Sequence, residues 1–169
     1  KTVENNYFSK LEDKHPGRLM MEVHFYDPYQ FTMMPKDEGW GKMWYYWGKG
    51  NTGSDASRNT SSKYTENYVN TQMNKMKTAF VDNGIPVIIG EFGVNQRFAI
   101  GQDPIHDASI KAWYAAVTSY AINNGCIPYA WDINSGNGMS IIDRSSVKVS
   151  NTNMMTGITE GVAAAKWPY

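Results

Sequence analysis

The chain has 169 residues with 16 Lys and Arg against 16 Asp and Glu, so its formal net charge is zero. This length fits one domain, and the balanced charge argues against a nucleic-acid-binding protein, which normally carries a basic face. Hydrophobic residues make up 41% of the chain, which favours a folded core over disorder. No apolar run is long enough for a membrane helix, and the lone cysteine, Cys126, excludes an internal disulfide.

The first half of the chain predicts a strand, a long loop, a helix and a second strand. The chain starts at Lys1 rather than Met, so we expect a processed form or a fragment, and residues 1–16 predict a short helix or loop. Residues 18–26 predict a strand. Apolar residues at helical spacing predict a helix over 64–83, and the continuous apolar run of 85–90 predicts a buried strand.

The second half repeats this alternation. We expect a helix capped by Asp107 that ends at Asn124-Gly125, a third strand over 126–131, and a final helix over 153–166. Strands that alternate with helices predict an α/β fold, with a parallel sheet and helical crossovers.

The segment between the first strand and the first helix, residues 27–62, has no clear periodicity and is rich in aromatic residues. It contains Trp40, Trp44 and Trp47, followed by several glycines. Long loops in compact domains are often functional. Because a glycine-rich loop offers no core of its own, we expect these indoles to be available to a ligand, although one or two could instead hold the loop down.

Polar or aromatic side chains stand at the carboxyl end of each predicted strand. They are His24 and Tyr26 on the first, Glu91 after the second, and Trp131 and Asp132 on the third. The carboxyl ends of parallel strands share one rim, where α/β proteins place their chemistry. The sequence therefore predicts a site at this rim.

Each of these residues has both a chemical and a purely structural interpretation. Glu91, within Gly90-Glu91-Phe92-Gly93, could serve as base, nucleophile or metal ligand, or be an ordinary turn acid. His24 and Tyr26 share one strand face and could orient a carboxylate and bind a polyhydroxylated ligand, or form a hydrogen-bonded core pair. Trp131 could stack on a sugar ring or lie in the core.

Taken together and in order, several segments resemble glycoside hydrolase family 5, most closely its bacterial and rumen-type endo-β-1,4-glucanases. The segments are His24-Phe25-Tyr26, Ile88-Ile89-Gly90-Glu91-Phe92-Gly93 and Ala130-Trp131-Asp132, supported by residues 18–29 and 139–144. The resemblance implies a (β/α)8 TIM barrel, of which residues 1–169 would be a single partial catalytic domain, the C-terminal portion with about strands 6 to 8.

The resemblance also implies roles for individual residues. Glu91 matches the nucleophile of a retaining β-1,4-glucanase, His24 and Tyr26 match the pair that binds sugar and holds that carboxylate, and Trp131 matches the stacking tryptophan. We further expect substrate contacts from the residues of the strand ends and the loop, namely Asp132, Asn134, Trp44 and Trp47. The expected partner is a β-glucan polysaccharide or oligosaccharide, with no cofactor, metal, nucleic acid or membrane. Such a polymer cannot enter a cell, so we expect a secreted, extracellular, cell-surface or periplasmic protein.

The acid/base of the family, the Glu of an Asn-Glu pair, has no counterpart because the chain contains no Asn-Glu dipeptide. Retaining glycosidases need two carboxyl groups. We therefore expect a missing N-terminal half-barrel or a second chain to supply it, and the isolated chain to be inactive. Asp132 is the carboxylate that we expect on the rim with Glu91, ahead of Asp27 and Glu22. A xyloglucanase or mannanase, a non-catalytic sugar-binding fragment and an unrelated α/β protein remain alternatives.

Overall fold

The computed structural model describes residues 14–134 and 138–169, so most of the predicted N-terminal helix or loop lies outside the described residues. The strands and helices are β1 (Met21–Phe25), α1 (Tyr29–Thr32), α2 (Glu66–Ala79), β2 (Val87–Phe92), α3 (Pro104–Asn123), β3 (Cys126–Ala130), β4 (Ile142–Asp143), β5 (Lys148–Val149) and α4 (Thr152–Ala164). The predicted α/β alternation is confirmed. Within the described ranges, no helix is long and apolar enough to cross a bilayer.

The sheet consists of parallel strands in the order β1-β2-β3, with β2 in the centre. Side chains alternate between its two faces, as the pleat of a strand requires. Phe25, Ile89 and Cys126 are buried on the face that packs against the helices. On the opposite face, Ile127 and Tyr129 of β3 are 43% and 53% exposed. One face of the sheet is therefore covered by helices and the other is open.

Trp113 of α3 is the centre of the covered face. Its side chain is fully buried, and its ring stacks on Phe25 at a centroid distance of 6.1 Å and lies 6.2 Å from Phe92. The indole Nε1–H donates to the backbone oxygen of Asp27 at 3.0 Å. Because one side chain contacts β1, β2 and Asp27, two positions after β1, it fixes the strand ends relative to each other.

Helices α3 and α4 approach closely through glycine. A Cβ atom at Gly157 would lie 2.4 Å from the backbone oxygen of Lys111, and one at Gly161 would lie 2.7 Å from that of Ala115. The two glycines are four residues apart and share one helix face. The absence of side chains there lets α4 pack on α3 and cover it from solvent.

The structure corrects the predicted start of α3. Asp103, rather than Asp107, is the N-cap, because its carboxylate accepts hydrogen bonds from the backbone N–H groups of Ile105 and His106. Pro104 occupies the first helical position, where a missing N–H costs nothing. Asp107 lies in the first turn of the helix, where its charge is favourable for the helix dipole.

Residues 27–62 contain the single turn of α1 and otherwise form a loop, which is tied to the N-cap and the first turn of α3. The hydroxyl of Tyr46 donates to Asp103 at 2.7 Å, and Nδ1–H of His106 donates to the backbone oxygen of Tyr45 at 2.7 Å. The expectation that this loop has no core was wrong for Trp47, whose side chain is fully buried in the main hydrophobic cluster. The loop shares the core of the sheet and helices, which its own composition does not indicate.

A buried Arg97–His106 contact supports the base of the same loop. Nε2 of His106 accepts the backbone N–H of Arg97 at 3.0 Å, while the Arg97 guanidinium donates to the backbone oxygen of Phe31 at 2.9 Å. Since one ring nitrogen of His106 accepts and the other donates, the imidazole is bound in its neutral form. Burial, with the nearby positive charge of Arg97, lowers the pKa of His106.

We expect Trp47→Ala to lower the free energy of unfolding by about 3–5 kcal/mol, since it removes a fully buried indole and leaves a cavity. Trp40→Ala is the matched control: Trp40 lies in the same loop but is 64% exposed, so its removal should change stability by no more than about 0.5 kcal/mol. Urea denaturation of the protein that contains this chain measures both, and equal effects would contradict the burial of Trp47.

We expect the protein to lose stability in acid through His106. Its pKa in the folded state lies below the unfolded value of 6.5, so as the pH falls below 6.5 the unfolded state takes up a proton that the folded state does not. The melting temperature should therefore fall from about pH 6.5 downward until the folded pKa is passed. His106→Gln should weaken this dependence, and His15→Gln, at an exposed position, should leave it unchanged. An unaltered pH profile in His106→Gln would show that another group is responsible.

Candidate active site

Glu91 lies within β2 and reaches the open face of the sheet because the strand has an irregular register at Gly90. Val23 of β1 pairs with Ile89, but the next residue, His24, pairs with Glu91, so Gly90 is skipped. The pairing with β3 shifts in the same place. Strict alternation from the buried Ile89 would turn Glu91 toward the helices, and the extra residue of a bulge reverses that direction.

Two side chains hold the carboxylate of Glu91: His24 of β1, and Tyr26, the residue that follows β1. The hydroxyl of Tyr26 donates to Oε2 at 2.9 Å, and Nδ1 of His24 lies 3.3 Å from the same oxygen. Within the described ranges no side chain hydrogen-bonds to Oε1. Burial of Tyr26 and its hydrogen bond to Glu91 raise the pKa of the phenol, which therefore remains a donor. Glu91 is thus oriented through one oxygen while the other is available.

Glu22 and Asp27 were the other carboxylates considered from the sequence, and of these Glu22 contacts His24. Its Oε1 lies 3.2 Å from Nε2 of His24, the nitrogen opposite to the one that faces Glu91. Asp27 instead accepts a hydrogen bond from Tyr68 at 2.7 Å. The imidazole of His24 therefore stands between two carboxylates.

Asp132 and Asn134 bind the segment that follows β3. The carboxylate of Asp132 accepts the backbone N–H of Ile141 at 3.0 Å and contacts the Arg144 guanidinium at 3.2 Å, and the side chain is 13% exposed. Oδ1 of Asn134 accepts the backbone N–H of Arg144 at 2.7 Å. The structure thus shows both side chains holding a loop together.

Trp131 stands beside the end of β2. Its backbone N–H donates to the oxygen of Phe92 at 2.9 Å, and its Cβ lies 3.8 Å from where a Cβ of Gly93 would be. The residue is 39% exposed. The absence of a side chain at Gly93 leaves space next to the indole, on the rim to which β2 delivers Glu91.

The three indoles of the loop have different environments. Trp47 is fully buried, which corrects the prediction that it contacts a ligand, because no face of its ring is open to one. Trp44 is half-buried, with its ring 5.9 Å from that of Tyr64. Trp40 is 64% exposed and pairs with Tyr29, itself 45% exposed, at a centroid distance of 6.1 Å. Sequence reasoning did not assign a role to Tyr29, although it stands three residues beyond Tyr26.

A separate cavity of about 350 Å³ lies between this loop and the start of α2. Its lining includes aromatic, hydroxyl and amide side chains, among them Tyr64, Ser61 and Asn51. Glu91 is not one of its lining residues. The described ranges hold no cluster of three or more His, Cys, Asp and Glu side chains that could bind a metal ion.

The chain is similar to known glucanases over most of its own length. It is 28% identical to a xyloglucan-specific endo-β-1,4-glucanase of Bacteroides ovatus, covering 92% of this chain and 30% of that protein. It is 29% identical to endoglucanase A of Paenibacillus barcinonensis, covering 94% and 38%. Among solved structures, a family 5 xyloglucan-specific β-1,4-glucanase from a ruminal metagenomic library, in complex with the oligosaccharide XXLG, is 42% identical with a TM-score of 0.79, covering 90% of this chain and 40% of that one.

The chain thus spans 40% or less of the length of these relatives. The structural relatives are (β/α)8 barrels, which confirms the predicted fold class: this chain is an α/β structure corresponding to a C-terminal portion, about strands 6 to 8, of such a barrel. The family model for cellulase, glycosyl hydrolase family 5, matches residues 2–137. The chain therefore belongs to the cellulase family, glycosyl hydrolase family 5.

Proposed function

We propose that this chain carries the nucleophile half of the active site of a retaining endo-β-1,4-glucanase, with Glu91 as the nucleophile. The observation that carries the proposal is the orientation of Glu91. Tyr26 and His24 both contact Oε2, which leaves Oε1 available for attack. Endoglucanases among the relatives of the chain support the reaction class.

In the first step, Oε1 of Glu91 attacks the anomeric carbon of the scissile bond, and the bond to the leaving sugar oxygen breaks. The bonding electrons leave with that oxygen, which takes a proton from a carboxylic acid. The product is a glycosyl ester of Glu91. Tyr26 remains a hydrogen-bond donor to Oε2 throughout, so it stabilises the carboxylate before attack and keeps the attacking oxygen oriented.

The acid must come from a part of the protein outside this chain. It would lie about 5–5.5 Å from the nucleophile, protonate the leaving oxygen, and then remove a proton from the water that hydrolyses the ester. The open sheet supports an N-terminal half-barrel as the partner, because β1 and β3 each present an unpaired edge in the described sheet. By itself, this chain should therefore have no hydrolytic activity.

Aromatic side chains on the rim would hold the glucan. Trp131 would stack on the ring next to the scissile bond. The exposed rings of Tyr29 and Trp40, inclined by 34° to each other, would contact sugars at other subsites. Trp44, which is half-buried in the loop, would contact the glucan through the exposed part of its ring. Asp132 and Asn134 would act on the sugar indirectly, by fixing the loop after β3. Since the substrate is a polymer, the protein would be secreted or exposed on the cell surface or in the periplasm.

We expect Glu91→Gln in the full-length protein to lower kcat by about 10⁴-fold or more while binding of cello-oligosaccharides persists, because an amide has no anionic oxygen for attack. Hydrolysis assays with calorimetric binding measure the two effects. Glu160→Gln, an exposed carboxylate paired with Lys111, is the control and should retain activity. Near-normal hydrolysis by Glu91→Gln would exclude it as the nucleophile. A wild-type protein that binds sugar without turnover would instead support a non-catalytic sugar-binding role.

The second candidate is a xyloglucanase, which the relative of 42% identity specifically favours, because it is described as xyloglucan-specific. We expect the full-length protein to cleave xyloglucan with a higher kcat/KM than unbranched β-1,4-glucan, and to act least on mannan. Initial rates on the three polysaccharides at equal mass concentration provide the comparison. Equal or higher efficiency on unbranched glucan would favour a general endoglucanase, and preference for mannan would overturn both glucan assignments.

A further inference from the structure

Glu22 is a carboxylate on the open face of the sheet with one described contact, His24. The two residues are separated by one position on β1, so their side chains project from the same face. Oε1 of Glu22 lies 3.2 Å from Nε2 of His24. In a closed barrel this face becomes the interior, where a carboxylate requires a hydrogen-bond partner.

Gly90 of β2 leaves room for the Glu22 side chain because it has no side chain of its own. A Cβ atom on Gly90 would lie 2.2 Å from Oε1 and 2.7 Å from Cδ of Glu22, so any other residue there would displace the carboxylate. Gly90 is also the residue that the strand pairing skips. The bulge therefore does two things: it turns Glu91 toward His24 and provides the space in which Glu22 reaches the other side of the same ring.

The two carboxylates restrict His24 from both sides. Nε2 faces Glu22 and Nδ1 faces Glu91 at 3.3 Å, while Tyr26 reaches Glu91 from the same side of the sheet. In the described ranges, the titratable groups that contact His24 are Glu22 and Glu91, and Tyr26 bonds to Glu91. A carboxylate oxygen lies within 3.3 Å of each ring nitrogen, so whichever nitrogen carries the N–H has an acceptor. Contacts at both nitrogens restrict the plane and the flip of the ring, which a single contact would not achieve.

We propose that Glu22 is a positioning residue for catalysis: it holds the His24 ring so that Nδ1 faces the nucleophile Glu91. This inference rests on the proposed function of Glu91. Glu22 does not touch the reacting atoms. It acts through His24 on the orientation of Oε2, and hence on the direction of the free oxygen that attacks the sugar.

A double-mutant cycle on the full-length enzyme tests the proposal, with 2-chloro-4-nitrophenyl β-cellobioside as substrate. Glu22→Ala should lower kcat about tenfold with little change in KM, since orientation of the nucleophile matters more to the reaction than to binding. Glu22→Gln should recover most of the loss, because its amide can accept a hydrogen bond from Nε2–H of His24 through oxygen or donate one to an unprotonated Nε2 through nitrogen. In a His24→Ala background, Glu22→Ala should have no further effect within about twofold.

A crystal structure of Glu22→Ala supplies a readout that does not depend on activity. We expect the His24 ring to turn and Nδ1 to move out of hydrogen-bond range of Glu91. An unmoved ring, or additive losses in the double mutant, would overturn the positioning role even in a fully active glucanase. If the wild-type protein shows no glucanase activity, the proposed function fails, and the structure of the variant alone decides whether Glu22 orients His24. A lowered melting temperature with normal kcat in Glu22→Ala would assign Glu22 a purely structural role.

Discussion

The bulge at Gly90 is the constraint on which the site depends. A regular β2 would direct Glu91 to the same side as Ile89, into the core that contains Phe25 and Trp113. An ionised carboxylate there would lose its hydration without gaining a partner, at a cost of several kcal/mol. Because the strand pairing skips one residue, Glu91 instead points to the open face, where Tyr26 and His24 contact its carboxylate. A side chain at the skipped position would displace the Glu22 carboxylate, because that carboxylate occupies the space that a Cβ atom on Gly90 would fill.

A bulge in the middle of a sheet needs firm packing on both sides, and the helix-facing core supplies it. Ile89 before the irregularity and Phe92 after it are both fully buried, so β2 cannot slip to regain regular alternation without exposing one of them. Trp113 packs against Phe92 and Phe25 and binds the backbone oxygen of Asp27, the residue after Tyr26. The same side chain therefore restrains the strand that carries Glu91 and the segment that orients its carboxylate.

Local patterns were sufficient for β1 to β3, for α2 to α4 and for the approximate rim, whereas the short elements α1, β4 and β5 were not predicted. Apolar periodicity indicated the helices, and strand ends indicated Glu91, His24 and Tyr26, because both signals lie within a few consecutive residues. The bulge was not predictable in this way, since a register shift is a property of two paired strands. The burial of Trp47 was missed for a related reason: the loop composition is that of a solvated segment, whereas its packing partners lie on β2, α2 and α3. Either Asp103 or Asp107 could cap α3 by residue type. The backbone geometry decides, because the N–H groups of Ile105 and His106 point to the carboxylate of Asp103.

The two halves of a retaining site make different demands on the fold. The orientation of Glu91 is set by β1 and by the residue that follows it, because both side chains that contact its carboxylate in the described ranges, His24 and Tyr26, lie there. The separation between nucleophile and acid is instead set by strands on opposite sides of a barrel, and only closure can fix a distance of about 5–5.5 Å. A C-terminal portion can therefore preserve the orientation of Glu91 without the rest of the barrel. Orientation of the carboxylate is a local property of the fold, whereas turnover is a property of the closed barrel.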